Sequence, residues 1–353
     1  PSLGVSLAEI ESADAILVIG SNLRREAPIL AHRVRKAAIS GAAVLFVNPL
    51  RYEYLHPVAG YIETGADLVS GMRRFAAAAD AEAVAIAARL KAATAAGKRA
   101  VIILGQIAGR HPRFADLRQM ASELAHVSSA ELGYLSEGAN SAGLALAGVL
   151  PHRGVGGAAT TGTGRNFAQM LQQPPKALVL LGCEPDQDCS NGEQAVAAMQ
   201  AAGFVVALTP YLGEVLKAHA DVVLPIGTFA ETAGTFVNGE GRWQSFAGVA
   251  SPVGESRPTW KVLRVLGNLL QLPDCEYASA DEILTEFQSL VPPVQPHNVV
   301  LASSIPPAPT SADIPLVALD IPMYQIDAVL RRTPALQLTR EARAARGSKL
   351  ETA

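Results

Sequence analysis

Ser12-Ala13-Asp14-Ala15-Ile16-Leu17-Val18-Ile19-Gly20-Ser21-Asn22 states a pattern that Pro175-Lys176-Ala177-Leu178-Val179-Leu180-Leu181-Gly182-Cys183-Glu184-Pro185 repeats. Each is a short apolar run that ends in glycine and a polar turn. A helical pattern of roughly 15 residues follows each. A second apolar run comes next: Ala43-Val44-Leu45-Phe46-Val47 before Asn48-Pro49, and Phe204-Val205-Val206-Ala207-Leu208 before Thr209-Pro210. Runs that are apolar at every position, rather than at every second one, suit parallel strands buried on both faces. Strand, helix and strand in that order make a βαβ unit. Ligands of such sheets sit beyond the carboxyl ends of the strands. The repeat therefore places two candidate nucleotide-type sites, at Gly20-Ser21-Asn22 and at Gly182-Cys183-Glu184.

Working outward, parallel strands are expected at 15–19, 43–47, 101–104, 177–181, 205–208 and 222–224. Helical spacing marks 27–39, where Pro28 stands near the start and Gly41 follows as a stop, and 67–95 with a break near Asp80. It marks 114–126, 191–202, 211–218, 260–272 and 281–290 as well. Between Pro292 and Pro315 proline recurs seven times among small residues. Such a stretch forms no packed core and reads as an extended linker. The expected organisation is a first α/β lobe over 1–96, a second over 97–291, and a Pro-rich linker with an extended tail over 292–353. Within that tail, 321–338 is expected to be the only anchored part.

The composition excludes several classes. The 353 residues carry a net charge of -3, with 17% charged and 49% hydrophobic residues. That balance gives no nucleic-acid footprint. The longest apolar runs, such as 142–150, stop short of the ~20 residues of a membrane span. No signal peptide precedes Pro1, and the missing initiator Met points to a piece of a longer chain. The cysteines are Cys183, Cys189 and Cys275, in no CxxC spacing, so neither a structural zinc nor an iron–sulfur cluster is expected. The nearness of Cys183 to Cys189 raises the question of a disulfide, and a reducing compartment favours free thiols. His32, His56, His111, His126, His152, His219 and His297 are scattered and read as surface or capping residues.

No strand end carries G-x-G-x-x-G, and no GxxxxGK[ST] or GxSxG occurs. Thr161-Gly162-Thr163-Gly164 has the glycines of a dinucleotide loop but no strand leading into it. Arg24, Arg25 and Glu26, after the first strand, suit either a phosphate clamp or ordinary helix-start chemistry. The strongest local string is Glu231-Thr232-Ala233-Gly234-Thr235-Phe236-Val237-Asn238-Gly239-Glu240-Gly241-Arg242-Trp243-Gln244. It offers a strand, glycine turns and an arginine able to tie down a loop, and no evident reaction.

That string, with Ala220-Asp221-Val222-Val223-Leu224-Pro225 before it, resembles the molybdopterin oxidoreductase family. The form is most similar to the large iron–sulfur subunit, of the G type, in NADH–quinone oxidoreductase (respiratory complex I). Ile19-Gly20-Ser21-Asn22-Leu23-Arg24-Arg25-Glu26-Ala27-Pro28 supports that branch, because active molybdenum enzymes tend to have Asn-Pro-Ala and a His-Pro there. Glu137-Gly138-Ala139-Asn140-Ser141-Ala142-Gly143 and the late run from Ile326 to Leu338 are similar too. The resemblance implies two Rossmann-like parallel-sheet lobes of the molybdopterin oxidoreductase type, without the β-barrel cap of formate dehydrogenases and nitrate reductases.

It further implies a scaffold region without chemistry of its own, in a complex that carries electrons from NADH to quinone. No catalytic residue, metal or cofactor is expected here, and iron–sulfur clusters are expected in a preceding part of the parent chain. The implied partners are other peripheral-arm subunits of complex I. The implied place is the cytoplasm, at the cytoplasmic face of the inner membrane, without a span. The bulky Leu23-Arg24-Arg25-Glu26 is expected to fill the old nucleotide cleft and to pair Glu26 with an arginine. The alternative is a fragment of an active molybdopterin enzyme such as a formate dehydrogenase, in which Gly20, Ser21, Asn22, Asn48, Gly182 and Glu184 hold the guanine nucleotide arms. A small-molecule-binding α/β module without a redox partner is the remaining class.

Overall fold

A computed structural model describes residues 2–76, 80–292, 298–300 and 323–343, in two compact units. The first holds residues 1–143, 237–243 and 293–320, and the second holds 144–236, 244–292 and 321–353.

In the first unit α1 (Leu7–Glu11) precedes β1 (Ala15–Ile19), followed by α2 (Leu23–Glu26), α3 (Pro28–Ile39), β2 (Ala43–Asn48) and β3 (Gly60–Glu63). Then come α4 (Leu68–Ala76), α5 (Ala81–Ala95), β4 (Ala100–Leu104), α6 (Gln106–Gly109), α7 (Phe114–Ser128) and β5 (Glu131–Tyr134). The five strands form one parallel sheet in the order β3-β2-β1-β4-β5. Alternate residues of the central strands serve opposite faces. Leu17, Ile19, Leu45, Val47, Ile102 and Leu104 pack against α4, α5 and α7, through Met72, Ile86 and Leu117 among others. Ile16, Val18, Val44, Phe46, Val101 and Ile103 pack against α1 and α3, through Ile10, Leu30 and Val34. With both faces covered by helices, no position of β1 or β4 is left for a polar side chain. The break expected near Asp80 is a helix start, where its carboxylate accepts the Ala83 N–H at 2.9 Å and caps α5.

In the second unit β6 (Ala177–Leu181), β7 (Phe204–Thr209) and β8 (Val222–Pro225) form a parallel sheet in that order. Two further helices, α8 (Ser141–Leu146) and α9 (Phe167–Gln172), come before it in the chain. Between its strands run α10 (Pro185–Asp188), α11 (Gly192–Ala201) and α12 (Glu214–His219). Met199 of α11 and Leu216 of α12 cover one face, over Leu178, Leu180, Val205, Ala207 and Val223. On the other face Val179 and Leu181 are about half exposed, at 58% and 50%. The second repeat thus covers a single sheet face within its unit, where its unbroken apolar runs point to two. β9 (Gly234–Val237) and β10 (Trp243–Phe246) form a two-stranded sheet, followed by α13 (Thr259–Leu269), α14 (Ala280–Leu290), α15 (Ala328–Arg331) and α16 (Pro334–Gln337).

All six expected strands are present and parallel in their sheets, and the described residues form no closed barrel. One boundary is corrected. The strand at 100–104, expected in a second lobe beginning at 97, pairs with β1 along its whole length in the first sheet. Its five residues are all buried, which requires neighbours on both sides, and β1 supplies one of them. In the tail, 293–297 and 301–322 lie outside the described residues. Anchoring is not confined to 321–338: Asn298 donates to Ser2 O at 3.0 Å and Leu132 O at 2.7 Å, and Val300 N–H donates to Ser122 Oγ at 3.2 Å. Among the described residues no helix is long and apolar enough to cross a membrane.

Candidate functional site

β1 runs into Gly20, whose φ of +60 turns the chain toward Ser21 and Asn22. A Cβ at Gly20 would lie 2.7 Å from both the Cβ and the backbone N of Ala108, so only glycine fits. Asn48, fully buried at the end of β2, stitches this turn to the sheet. Its Oδ1 accepts the Ser21 N–H at 2.7 Å, while Nδ2 donates to Ser21 O at 3.0 Å and to the Tyr61 hydroxyl at 3.1 Å. The Tyr61 hydroxyl donates onward to Leu50 O at 2.6 Å and accepts the Tyr52 N–H at 3.0 Å. The expected residues Gly20, Ser21, Asn22 and Asn48 are therefore gathered at one place, and Ser21 and Asn48 are bonded to each other.

The strand order reverses between β1 and β4, which is where a sheet of this type opens its ligand crevice. Here the Glu26 carboxylate occupies that position. It accepts the Ser21 hydroxyl at 2.7 Å, the Asn22 N–H at 2.7 Å and the Gln106 N–H at 2.8 Å. Burial pushes the Glu26 pKa above the usual carboxylate range, against the opposing pull of these three donors and of the Arg110 charge. The expected arginine partner is corrected: the bonds that hold Glu26 come from a hydroxyl and backbone N–H groups, and Arg110 acts through its charge. Behind the carboxylate, a Cβ at Gly105 would come within 2.2 Å of Ser21 Cβ, so β1 and β4 close tightly. A phosphate binds at strand ends and helix starts through free N–H donors. These donors already face a carboxylate, so an incoming phosphate meets negative charge. The crevice does not fit the phosphates of a guanine nucleotide arm.

At the end of β6, Gly182 also has a φ of +60, and a Cβ there would meet nothing within 4 Å. Glu184, 5% exposed, is clamped by two residues from the far end of the chain. Its carboxylate accepts from Arg331 Nη2 at 2.7 Å, from Arg332 Nη1 at 2.8 Å and from Arg332 Nη2. Arg331 also donates to Asp188 at 2.8 Å, and the Arg332 guanidinium lies 4.3 Å from the centre of the Tyr211 ring. Burial alone would raise the Glu184 pKa. The hydrogen bonds and charges of Arg332 and Arg331 outweigh it and hold the carboxyl below its usual range. Cys183 and Cys189 are free thiols, and burial foremost, then the Cys189 neighbour, pushes Cys183 up to about 12. Gly182 and Glu184 thus stand where the repeat puts them, with Glu184 committed to an internal ion pair. The pairing with Arg331 and Arg332 escapes sequence reading; its one signal is two adjacent arginines after the cap residue Asp327.

The string at 231–244 has a structural explanation. Glu231 accepts the Thr228 N–H at 2.8 Å and the Val253 N–H at 3.1 Å. Asn238 Oδ1 accepts the N–H groups of Glu240 and Arg242, both at 3.0 Å, and so shapes the turn. Glu240 Oε1 accepts the Leu7 N–H at 2.7 Å, Gly239 O accepts the Leu3 N–H at 2.7 Å, and Asn140 Oδ1 accepts the Val237 N–H at 2.8 Å. The turn thereby holds down the residues that lead into α1.

The family model described as "Molybdopterin oxidoreductase" matches residues 1–269. The chain is similar to the G-type subunit of NADH-quinone oxidoreductase from Mycobacterium bovis, with 30% identity over 269 residues, covering 69% of this chain and 32% of that one. It is also similar to the alpha-type subunit of NADPH-Fe(3+) oxidoreductase from Geobacter sulfurreducens, with 36% identity over 117 residues, covering 33% of this chain and 14% of the other. The chain therefore spans about a third or less of the length of these relatives. Acetylene hydratase from Pelobacter acetylenicus shares the fold with a TM-score of 0.52 at 15% identity, over 77% of this chain and 49% of that one.

Proposed function

The chain belongs to the molybdopterin oxidoreductase family, and we propose that it is a non-catalytic scaffold region of a G-type large subunit in an NADH–quinone oxidoreductase. The likeness to the Mycobacterium bovis subunit supports the choice of branch. The observation that carries the non-catalytic reading is Glu26, whose carboxylate takes the three donors at the switch point of the first sheet. In the second unit Glu184 is likewise turned inward onto Arg331 and Arg332. Both strand-end turns are then packing devices, inherited from a nucleotide-binding fold and kept for their rigidity. Under this reading the parent complex moves electrons from NADH to quinone through clusters held elsewhere in the polypeptide. This region binds no cofactor and meets other peripheral-arm subunits at the cytoplasmic face of the membrane.

The test is made in the intact complex. Asn22→Ala removes a side chain and Gly182→Ala adds a methyl group into open space, at two positions that an active enzyme would use on a nucleotide, with little change in packing. NADH-to-quinone turnover per assembled complex is expected to stay unchanged in both. A fall in turnover with assembly intact would overturn the scaffold reading.

A further inference from the structure

A second feature of the first unit lies on the flank of α3 rather than at the strand ends. Pro28, Ala31, His32 and Arg35 recur at the spacing of one helix face, while Leu30, Val34, Ala37 and Ala38 of the same helix are buried in the core. The first set, with Leu23 and Arg24, faces Tyr54, Leu55 and His56 across a cavity of about 210 Å³. The opposite wall is preformed. The Tyr54 ring stacks on buried Phe46 at 4.2 Å between centroids, and the His56 ring lies 5.3 Å from Tyr54. Gly20, Ser21, Asn22 and Asn48 do not line this cavity, so it is distinct from the crevice that Glu26 fills.

Its charge is one-sided. Arg24 and Arg35 line it beside the His32 and His56 rings, and among the described residues no carboxylate does. Two other cations of α3, Arg33 and Lys36, are both paired with Glu11. The Arg35 side chain has no hydrogen bond or ion pair among the described residues, and Arg24 is steadied by a bond from Nη1 to Glu53 O at 3.2 Å. Glu26, the carboxylate next to Arg24 and Arg25 in sequence, is engaged at the strand ends instead. Guanidinium groups match the oxygens of a phosphoryl group in paired hydrogen bonds, and a phosphomonoester is close to a dianion at neutral pH. At about 30 Å³ per water the cavity has room for about seven waters, more than a phosphoryl group alone fills. The remaining surface, from Pro28, Ala31, Tyr54 and Leu55, is apolar or aromatic.

We propose that this cavity binds a small phosphomonoester that carries an aromatic or apolar portion. The phosphoryl group sits between Arg24 and Arg35, and the apolar portion lies over Tyr54 and Leu55. The inference goes beyond the scaffold reading and does not depend on it, since a region without chemistry of its own can still bind a metabolite.

The experiment is a titration of the purified chain with phenyl phosphate at low salt, followed by calorimetry or amide chemical shifts, beside phenol, inorganic phosphate and benzoate. Saturable one-to-one binding of phenyl phosphate is expected, at least about tenfold tighter than each of the other three. Both arginines are exposed, so Arg24→Ala, Arg35→Ala and the double variant are expected to keep the melting temperature while weakening binding by about tenfold or more. Absence of saturation by ~10 mM phenyl phosphate would overturn the proposal. So would unchanged affinity in the folded double variant, and benzoate binding as tightly as phenyl phosphate would overturn the phosphate assignment.

Discussion

Replacing Glu26 by alanine is the sharpest perturbation of the first strand-end crevice. The substitution leaves the Ser21 hydroxyl and the Asn22 and Gln106 N–H groups without their acceptor. A buried donor left unmet costs about 1–3 kcal/mol. Water enters the vacated space and meets part of that need. Removing a carboxylate whose ionisation burial opposes returns a further part. The net loss is therefore expected near the lower bound of the summed costs, about 3 kcal/mol. Urea unfolding followed by circular dichroism measures it, and hydrogen exchange at the Asn22 and Gln106 amides locates it. Acetate should re-enter the site of the lost carboxylate, so it should stabilise Glu26→Ala as it binds and leave the unsubstituted chain unaffected. Equal stability and equal amide protection in the two proteins would refute the reasoning. So would acetate stabilising the unsubstituted chain just as much, because the donors would then be open to ligands.

The two strand-end glycines should separate in a paired test. Gly20→Ala, with backbone and side chain of Ala108 at 2.7 Å, should lower stability by about 3 kcal/mol or prevent folding, whereas Gly182→Ala, with open space, should cost about 1 kcal/mol from φ alone, both read by thermal melts. Arg331→Ala leaves Glu184 with a single cation and should destabilise the second unit by about 3 kcal/mol in urea unfolding. The folded-state pKa of Glu184 lies below its ordinary value of 4.5, so the clamp should stabilise fully above that pH and fade as pH falls through the lower folded value, and a pH series on Glu184→Gln should lose that fade. Glu26 runs the opposite way: its raised value means its ionisation weakens the fold as pH climbs from 4.5 through the folded value. Cys183, with a thiol pushed up to about 12, should resist iodoacetamide at pH 8 in the folded chain and react once denatured, as peptide mass mapping would report.

The fold was readable where the signal was local and repeated. β1, β2, β4, β6, β7 and β8 are unbroken apolar runs, and burial or a central sheet position explains most of them. β3 and β5 are four-residue edge strands in which Glu63 and Glu131 are exposed, so no apolar run marks them. The place of β4 in the first sheet depends on which strand flanks β1, a pairing that no periodicity encodes. At the candidate site, the strand-and-turn pattern put Gly20, Ser21, Asn22 and Asn48 together because each stands at the end of a strand or in the turn just after it. The role of Glu26 depends on a backbone that folds its side chain back to its own strand end and on Gln106, 80 residues away. The Glu184 clamp closes over 147 residues to Arg331, and the turn around Glu240 over 233 residues to Leu7. Hydrogen bonds of that separation leave no spacing in a single sequence to be read.

The central claim is that this member of the family holds no pterin nucleotide. The most direct test expresses the chain in a host that makes the molybdenum cofactor, purifies it, and measures molybdenum by mass spectrometry together with any guanine nucleotide released on denaturation. The account predicts that neither accompanies the protein in more than trace amount. Molybdenum or a guanine nucleotide in a fixed whole-number ratio to the polypeptide would contradict it.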